Sequence, residues 1–520
     1  MIAEGARGLV VMRPWRKPKR GIGLEVPSAK GWVVAVLACV ALALSGCTSV
    51  KPRGLEQPAV DVPASWSVAD VAPVAGSTSL VDWWARFDDP LLAQLITDAL
   101  RANTSVGGAQ AALRQARALR DVAAAALFPT LGSSASVQRS SGANPASPGG
   151  RSTIDNFKAG LDANWELDIF GVNRSALTAS EAAARASAAS LGDVQVSIAA
   201  EVALDYVALR SAQARLAIAI ENLASQQETL QITEWRLQAG LVTSLDAEQA
   251  RTAVEQTAAL VPALQTSFEQ MSHAVAVLTG QPPAGLSAVL VVVAPVPHVS
   301  DELALSIPAQ TLRQRADVRA AEHQVSAAMA RVSQAEAARL PNFSIGGSLG
   351  LSALTLGALT QGASVVSTLV GSVSLPIFDG GALRAQVDVQ QAALDQARQV
   401  YRGAILVALQ EVEDALVALR GDRVRLARLG NAAAAAANAA TLARQQYGSG
   451  LVDFQTVLET QRTLLGTQDG VAAARADVSS DHVRLYKALG GGWVPEVVTS
   501  AGGPRSRDDP IAARNVFSTR

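Results

Sequence analysis

The chain has little of what marks most enzymes and nucleic-acid-binding proteins. Its 520 residues include 2 cysteines and 4 histidines, aromatic side chains make up 4%, and the formal net charge is -1. So few cysteines exclude a disulfide framework, and the balanced charge gives no sign of a nucleic-acid partner. His273, His298, His323 and His482 occur singly, without the ligand spacing of a zinc site. We therefore expect no metal.

Two further absences narrow the class of protein. The sequence has no Gly-Lys-Ser/Thr phosphate loop, and we expect no nucleophile elbow, so we interpret the chain as not an enzyme. Hydrophobic residues make up 49% of the chain, yet no run of 18 apolar residues follows residue 46. The apolar residues must therefore be spread along the chain in periodic patterns.

The most informative pattern is a strict alternation of apolar and polar residues over thirteen positions. The apolar positions are Phe157, Ala159, Leu161, Ala163, Trp165, Leu167 and Ile169. Lys158, Gly160, Asp162, Asn164, Glu166 and Asp168 lie between them. A membrane β-strand needs roughly nine to eleven residues with lipid on one face and water on the other. A half-buried strand of a soluble sheet is the alternative on this segment alone.

The strand pattern occurs twice, which indicates an internal duplication. Leu-Asp-Ile-Phe-Gly at 167–171 is echoed by Leu-Pro-Ile-Phe-Asp-Gly-Gly at 375–381. An earlier alternating strand precedes each copy, after Phe128-Pro129 and after Leu340-Pro341. We therefore predict one β-hairpin in each half, at residues 129–170 and 341–378.

After each hairpin the apolar period changes from two to about 3.6, which predicts long helices. The first repeat is expected over residues 47–280 with helices in 173–279, and the second over 309–493 with helices in 382–489. Shorter helices are expected before the hairpins, at 91–126 and 309–339, and residues 281–308 form a linker. Helices of about 65 residues span roughly 100 Å and must pack as coiled coils. Gly240-Leu241-Val242 and Gly450-Leu451-Val452 are the expected turns between long and return helices.

The N-terminal segment predicts export and a lipid anchor. Basic residues at 13–20 and an apolar stretch at 32–44 form a signal peptide over residues 1–46, and we expect translation to start at Met12. Leu44-Ser45-Gly46-Cys47 resembles a bacterial lipobox, which implies a covalent N-acyl diglyceride lipid on Cys47 and no other cofactor. Cleavage by an ordinary signal peptidase near a chance cysteine is the alternative. Residues 494–520 are predicted to be a disordered tail.

The chain resembles the TolC-like outer membrane factor family, in its NodT/OprM-type lipoprotein branch. Four segments carry the resemblance: Trp83-Trp84-Ala85-Arg86-Phe87-Asp88-Asp89-Pro90-Leu91, Leu278-Thr279-Gly280-Gln281-Pro282, Leu312-Arg313-Gln314-Arg315-Ala316-Asp317-Val318, and Leu485-Tyr486-Lys487-Ala488-Leu489-Gly490-Gly491-Gly492-Trp493. Relatives usually carry proline where this chain has Ala316, a difference that concerns a helix start.

The resemblance implies a fold of α-helical coiled coil with membrane β-structure. Three copies would share one outer-membrane β-barrel, with four strands from each chain, and a long periplasmic α-helical barrel. The implied partners are two more copies, outer membrane lipid, a periplasmic membrane-fusion adaptor and an inner-membrane pump of the resistance-nodulation-division type. The implied function is a passive exit duct for small molecules in the outer membrane of a Gram-negative cell. A type I secretion channel and a coiled-coil lipoprotein without a pore are the alternatives.

The resemblance also implies a gate at the periplasmic helix tips. Asp246 and Tyr447 would form a polar latch, Glu459 would form an acidic ring, and Thr456 occupies a position that is acidic in some relatives. Val452 replaces an arginine that reinforces the latch in some relatives. The adaptor would dock on the turns Gly240-Leu241-Val242 and Gly450-Leu451-Val452. The plainer interpretation is that both acids are ordinary solvated helix carboxylates and that the turns only end helices.

Overall fold

The computed structural model describes residues 80–143, 151–299, 309–360 and 365–493. The predicted signal peptide, Cys47 and the tail after Trp493 lie outside these ranges. Among the described helices, none is long and apolar enough to cross a membrane.

The first half contains two short helices, a hairpin and a pair of long helices. A 3-10 helix at Trp83–Phe87 precedes α1 (Pro90–Ala102) and α2 (Thr104–Ala125). Strands β1 (Thr130–Ala143) and β2 (Arg151–Leu167) lead into α3 (Val172–Gln238) and α4 (Ser244–Leu278). A short helix, α5 (Ser287–Leu290), begins the connection to the second half.

The second half repeats the order of strands and longer helices, and three of its helices have the same lengths as their counterparts. A 3-10 helix at Ala309–Gln314 precedes α6 (Ala316–Ala337), β3 (Asn342–Ala353), a 3-10 turn at Leu356–Thr360 and β4 (Val365–Ser374). The last elements are α7 (Ala382–Gly448) and α8 (Phe454–Ala488). α2 and α6 have 22 residues each, α3 and α7 have 67 each, and α4 and α8 have 35 each. The duplication is therefore structural as well as sequential.

The four strands form one antiparallel sheet in the order β1-β2-β3-β4. Its register keeps the apolar positions on one face, because Leu161 pairs with Leu349 and Trp165 pairs with Ile345. Larger apolar side chains on this face are exposed: Leu131, Val137, Leu161, Trp165, Ile345, Leu349, Leu369 and Val373. A contiguous exposed apolar face of this kind marks an interaction surface, here for a membrane or for other chains.

The helices form two layers that share α3 and α7. Near the sheet, the packing order is α2-α3-α6-α7, and away from it the order is α4-α3-α8-α7. At 1.5 Å per residue, α3 and α7 each extend about 100 Å. Many of the buried α3 positions near the sheet are alanines, among them Ala179, Ala182, Ala186 and Ala189, which let neighbouring helices approach closely.

At each of the two junctions between a strand and the following long helix, an aspartate accepts hydrogen bonds from backbone N–H groups at the start of the helix. The Asp168 carboxylate accepts hydrogen bonds from the backbone N–H groups of Asn173 at 3.0 Å and Arg174 at 2.9 Å. Asp379 likewise accepts from the N–H groups of Gly381 at 2.9 Å and Leu383 at 2.7 Å. These acceptors satisfy N–H groups that a helix start leaves free. Strand β2 ends at Leu167, directly before Asp168, although the alternating pattern continues to Ile169.

A buried aromatic stack ties the start of the described chain to its end. Trp83 stacks on Tyr486 with ring centroids 5.5 Å apart, and Trp83 is fully buried. The backbone N–H of Gly492 donates to the Leu80 carbonyl at 2.9 Å. Gly492 has φ +94, a conformation that side chains other than glycine rarely adopt. Two of the four resemblance segments thus pack against each other.

The other two segments join the same region, which we name the belt. Arg315 is 7% exposed and donates to the Ala488 carbonyl at 2.7 Å and to the Glu411 carboxylate at 2.7 Å. A Cβ on Gly280 would lie 2.7 Å from the Ala102 carbonyl oxygen, so glycine is required there. The belt therefore consists of the four resemblance segments and the helix residues that they contact.

The single helix predicted over residues 91–126 is wrong, because the chain breaks at Asn103. The Asn103 side chain accepts from the Ser105 N–H at 2.8 Å and donates to the Leu278 carbonyl at 3.0 Å. The first contact starts α2, and the second ties this corner to the end of α4. Asparagine is a strong helix-start residue, but the partner that holds it comes from 175 positions away.

Replacing Arg315 with glutamine tests the belt. Arg315→Gln removes the buried guanidinium from the Asp317 and Glu411 carboxylates and from the Ala488 carbonyl, so we expect a loss of about 2 kcal/mol of stability. The apparent melting temperature of the purified protein measures it. Arg398→Gln removes an ion pair whose Asp395 is exposed and should change stability by at most about 0.5 kcal/mol. Equal effects of the two substitutions would contradict a structural role for the belt.

Asp205 makes stability depend on pH. Burial raises the pKa of Asp205 to about 6, and the nearby Glu201 carboxylate adds to the rise. A raised acid pKa in the folded chain destabilises it above pH 6, and the penalty disappears as the pH falls towards the unfolded value. Asp205→Asn should therefore raise the apparent melting temperature at pH 7.5 and leave it unchanged near pH 4. A melting-temperature difference between variant and wild type that does not depend on pH would contradict this origin.

Candidate functional site at the helix tips and the sheet

Both long helices end in the same backbone turn. Gly240 and Gly450 have φ +71 and +74, the left-handed conformation that glycine adopts without strain. The N–H of Leu241 donates to the Arg236 carbonyl at 2.8 Å, and that of Leu451 to the Gln446 carbonyl at 2.9 Å. This pattern is a Schellman motif, which satisfies the last carbonyls of a helix.

The return helices start with mirrored side-chain pairs. At the first tip the Thr243 hydroxyl and N–H both donate to the Asp246 carboxylate, at 2.7 and 2.9 Å, and the Asp246 N–H donates back to the Thr243 hydroxyl. At the second tip the aspartate comes first: Asp453 accepts from the Thr456 N–H at 2.9 Å and from its hydroxyl at 2.5 Å. These hydrogen bonds lower the pKa of Asp453. Both starts are thus N-capped.

Next to the turns, an aromatic pair of the second helical hairpin (α7 and α8) contacts the first helical hairpin (α3 and α4). Tyr447 and Phe454 lie with ring centroids 5.4 Å apart, and the Arg236 guanidinium lies 4.6 Å from the centre of the Tyr447 ring. Phe454 is buried against Ala250 and Ala253 of α4. We name these five residues the tip cluster. It holds the end of α3 and the start of α4 against the second hairpin.

Within one chain, the predicted hydrogen bond between Asp246 and Tyr447 is not formed. Asp246 binds Thr243, and the buried Tyr447 hydroxyl has no hydrogen-bond partner in the described ranges. The Thr-x-x-Asp spacing at residues 243–246 is a local pattern that indicates a capping box, and the prediction from sequence did not use it. The contact of Arg236 with Tyr447 had no such signal, because 211 positions separate the two residues. A latch in the assembled protein stays a prediction.

The other predicted tip residues are spread along the surface. Glu459 is exposed one turn beyond Thr456, and Val242 and Val452 are half-buried. Leu241 and Leu451 are 74% and 75% exposed. Each turn therefore presents one large apolar side chain at equivalent positions, with Gly240 or Gly450 directly before it.

The opposite face of the sheet is polar and hydrogen-bonded between strands. Ser134 donates to Asp162 at 2.6 Å, Asn342 donates to Glu166, and the hydroxyls of Ser344 and Ser372 lie 2.7 Å apart. Residues 346–350 do have the Gly-x-Ser-x-Gly pattern of a nucleophile elbow. They lie inside β3 and not at a turn from strand to helix, so they do not form one.

The apolar face has the height of a membrane interior. From Phe157 to Leu167 a strand extends about 34 Å, which at a tilt of roughly 40° spans about 26 Å, close to the apolar band of membrane strands. The ion pair of Arg139 with Asp155, at 2.6 Å, lies on the same face of the sheet next to Phe157. It marks one end of the band of apolar side chains. At the other end the Trp165 indole N–H donates to the Leu127 carbonyl at 3.1 Å. Aromatic residues are typical of such boundaries.

The exposed apolar sheet and the long helical hairpins together define an outer membrane channel protein with a helical extension. The family model described as "Outer membrane efflux protein" matches residues 95–281 and 307–491. The chain belongs to this family, and it is the outer membrane component of an efflux system of Gram-negative bacteria, with its helices extending into the periplasm.

Individual relatives agree with this placement. The solvent efflux pump outer membrane protein SrpC of Pseudomonas putida is 31% identical, over 87% of this chain and 97% of that protein. The outer membrane protein OprJ of Pseudomonas aeruginosa is 30% identical, over 87% of this chain and 95% of that protein. The solved outer-membrane channel OprN is 35% identical with a TM-score of 0.79, covering 84% of this chain and 99% of that one. The TolC-like fold expected from sequence is confirmed.

The N-caps of the return helices can be tested by hydrogen exchange. Thr243→Ala and Asp453→Ala each remove a cap worth about 1 kcal/mol, so amides in the following helical turn should exchange about fivefold faster. Thr252→Ala is the matched control, because its hydroxyl only donates to the Glu248 carbonyl inside α4. Unchanged exchange in the capping variants would show that the tip cluster alone fixes the helix starts.

Proposed function

We propose that the chain forms a homotrimeric, passive exit duct for small molecules, closed at its helix tips and opened when an adaptor and pump dock there. The observation that carries the proposal is a sheet with an exposed apolar face and two open edges, continued by helical layers that are equally open. The duct performs no catalysis.

The open sheet edges support closure of the sheet by further copies of the chain, of which we propose three in all. β1 and β4 are the edge strands, so each presents backbone groups that no strand among the described residues pairs. Hydrocarbon offers these groups no hydrogen bonds, and about eight strands is the smallest closed membrane barrel. Three copies would supply twelve strands and pair every edge.

The edges of the helical layer support the same kind of closure by neighbouring copies. α2 and α7 are the outer helices of the layer near the sheet, and both expose large apolar side chains. Leu119 and Val122 are 57% and 68% exposed on α2, and Val389 and Val400 are 56% and 58% exposed on α7. Contact of α7 with α2 of the next copy would cover them and close the helical layer into a tunnel.

The tips are the proposed gate. Three copies of Glu459 near the tunnel axis would repel one another and attract cations. The Tyr447 hydroxyl has no hydrogen-bond partner among the described residues. In the assembled trimer it could donate a hydrogen bond to a carboxylate such as that of Asp246. Because Val452 offers no charge, closure would depend on this hydrogen bond and on the tip cluster.

The partners follow from the position of the turns. Leu241 and Leu451 would each contact a helical hairpin of a periplasmic adaptor, which connects the duct to an inner-membrane pump of the resistance-nodulation-division type. A diacylglyceryl lipid on Cys47 would anchor the chain in the outer membrane. A type I secretion channel and a pore-free coiled-coil lipoprotein are the alternatives. The second leaves the exposed apolar sheet without a role.

Conductance in a planar bilayer tests the duct and its gate. The purified trimer should conduct weakly, and Asp246→Ala with Tyr447→Phe should raise the conductance severalfold because it removes both latch groups. Thr243→Ala is the matched control, since it removes the hydroxyl that binds Asp246 in the N-cap of α4 and keeps the Asp246 carboxylate. Absence of conductance from both wild type and double variant would favour the pore-free lipoprotein.

Aspartate substitution of the two turn leucines tests docking. Leu241→Asp with Leu451→Asp should abolish adaptor-dependent efflux, measured as drug resistance of the host, because a charge cannot enter an apolar interface without a large desolvation cost. The conductance of the isolated trimer should stay unchanged. Leu442→Asp places the same charge on an exposed site of α7 away from the turn and should preserve resistance.

A further inference from the structure

A small cleft next to the belt lies in the helical layer near the sheet, and its lining includes residues neither of the tips nor of the strands. It has a volume of about 170 Å³ and lies between α2, α3 and α6. Trp493 forms one wall, and its indole lies directly over Gly192, where an added Cβ would overlap the ring. Neither the proposed gate nor the membrane sheet uses these residues.

The cleft carries positive charge. Arg185 and Arg319 both line it, on α3 and α6, beside the half-buried His323. The carboxylate of Glu181 lies 3.9 Å from Arg185, and both side chains of this pair are more than 40% exposed, so the charge of Arg185 is only weakly neutralised. Burial lowers the pKa of His323, and the two guanidinium groups lower it further against the opposing effect of Glu322. The imidazole is thus neutral at pH 7 and can donate one hydrogen bond.

The rest of the lining is apolar and of a defined size. Leu113, Ala188 and the Trp493 ring form the apolar walls, and Gln195 adds an amide. An apolar protein cavity of about 150 Å³ holds benzene, so this cleft has room for one six-membered ring. The two guanidinium groups that line the cleft suit a carboxylate, which can accept paired hydrogen bonds from arginine. A fully hydrated dianion would have to give up water against apolar walls.

We propose that this cleft binds a small aromatic monocarboxylate, with the ring against Trp493 and the carboxylate on Arg185 and Arg319. The ligand would bridge α3 and α6, which come from different repeats. None of the residues that line the cleft belongs to the proposed gate, so this proposal does not depend on the gate.

Fluorine NMR of 4-fluorobenzoate with the purified full-length protein in detergent tests the site. We expect saturable line broadening with a dissociation constant on the order of 1 mM, as suits a ligand of ten non-hydrogen atoms. Arg185→Gln and Arg319→Gln should each weaken binding at least about tenfold, because each removes a charged hydrogen-bond donor. Arg331→Gln makes the same change on an exposed part of α6 outside the cleft and should leave binding unchanged.

Further measurements separate the proposed ligand from simpler ones. Ala188→Leu fills the cleft and keeps both arginines, so this substitution should also abolish binding of 4-fluorobenzoate. With the wild-type protein, 4-fluorobenzyl alcohol should bind at least about tenfold more weakly than 4-fluorobenzoate, because it lacks the carboxylate. Equal binding of the alcohol would reduce the site to an apolar cleft and overturn the proposal. Displacement of 4-fluorobenzoate by millimolar phosphate, or its unchanged binding to Arg319→Gln, would overturn it as well.

Discussion

A strand edge in hydrocarbon must pair with another strand, because lipid cannot hydrogen-bond to its backbone groups. Within the described part of the chain, the two inner strands of the sheet are paired on both sides and β1 and β4 each have one open edge. The helices inherit the same order, since each strand pair leads directly into a long helix. Closure of the sheet by further copies would therefore close the helical layer at the same time. The long helices α3 and α7 carry this arrangement about 100 Å from the membrane without a break.

The two repeats have equal helix lengths but different chemistry at their tips. In the first repeat the N-cap residue is Thr243 and its partner three positions later is Asp246. In the second repeat the N-cap residue is Asp453 and its partner three positions later is Thr456, so the order of threonine and aspartate is reversed. The tyrosine and phenylalanine of the tip cluster come from the second repeat, and the arginine comes from the first. The side chains around the two tips therefore differ, whereas the turns themselves are alike.

Local patterns in the sequence predicted much of this architecture. The alternation around Trp165 and the helical stripe that follows it depend only on neighbours a few positions apart, and the same holds for the glycine turns. Two local signals were missed: the Thr-x-x-Asp cap at Thr243 and the helix start at Asn103. The break at Asn103 also needs the Leu278 carbonyl, which no local pattern reveals. The predicted pairing of Asp246 with Tyr447 came from resemblance, and one chain forms a different hydrogen bond at Asp246.

The sequence by itself determined the duplication, the period of each segment and therefore which side chains share a face. These properties depend on backbone geometry, which repeats every two residues in a strand and every 3.6 in a helix. Only the tertiary structure decided the order of the helical layers, the burial of Arg315 against the end of α8, the contact of Arg236 with Tyr447 and the cleft beside Trp493. Each of these joins residues far apart in the chain, and their meeting depends on how whole helices pack, which no spacing along the sequence encodes.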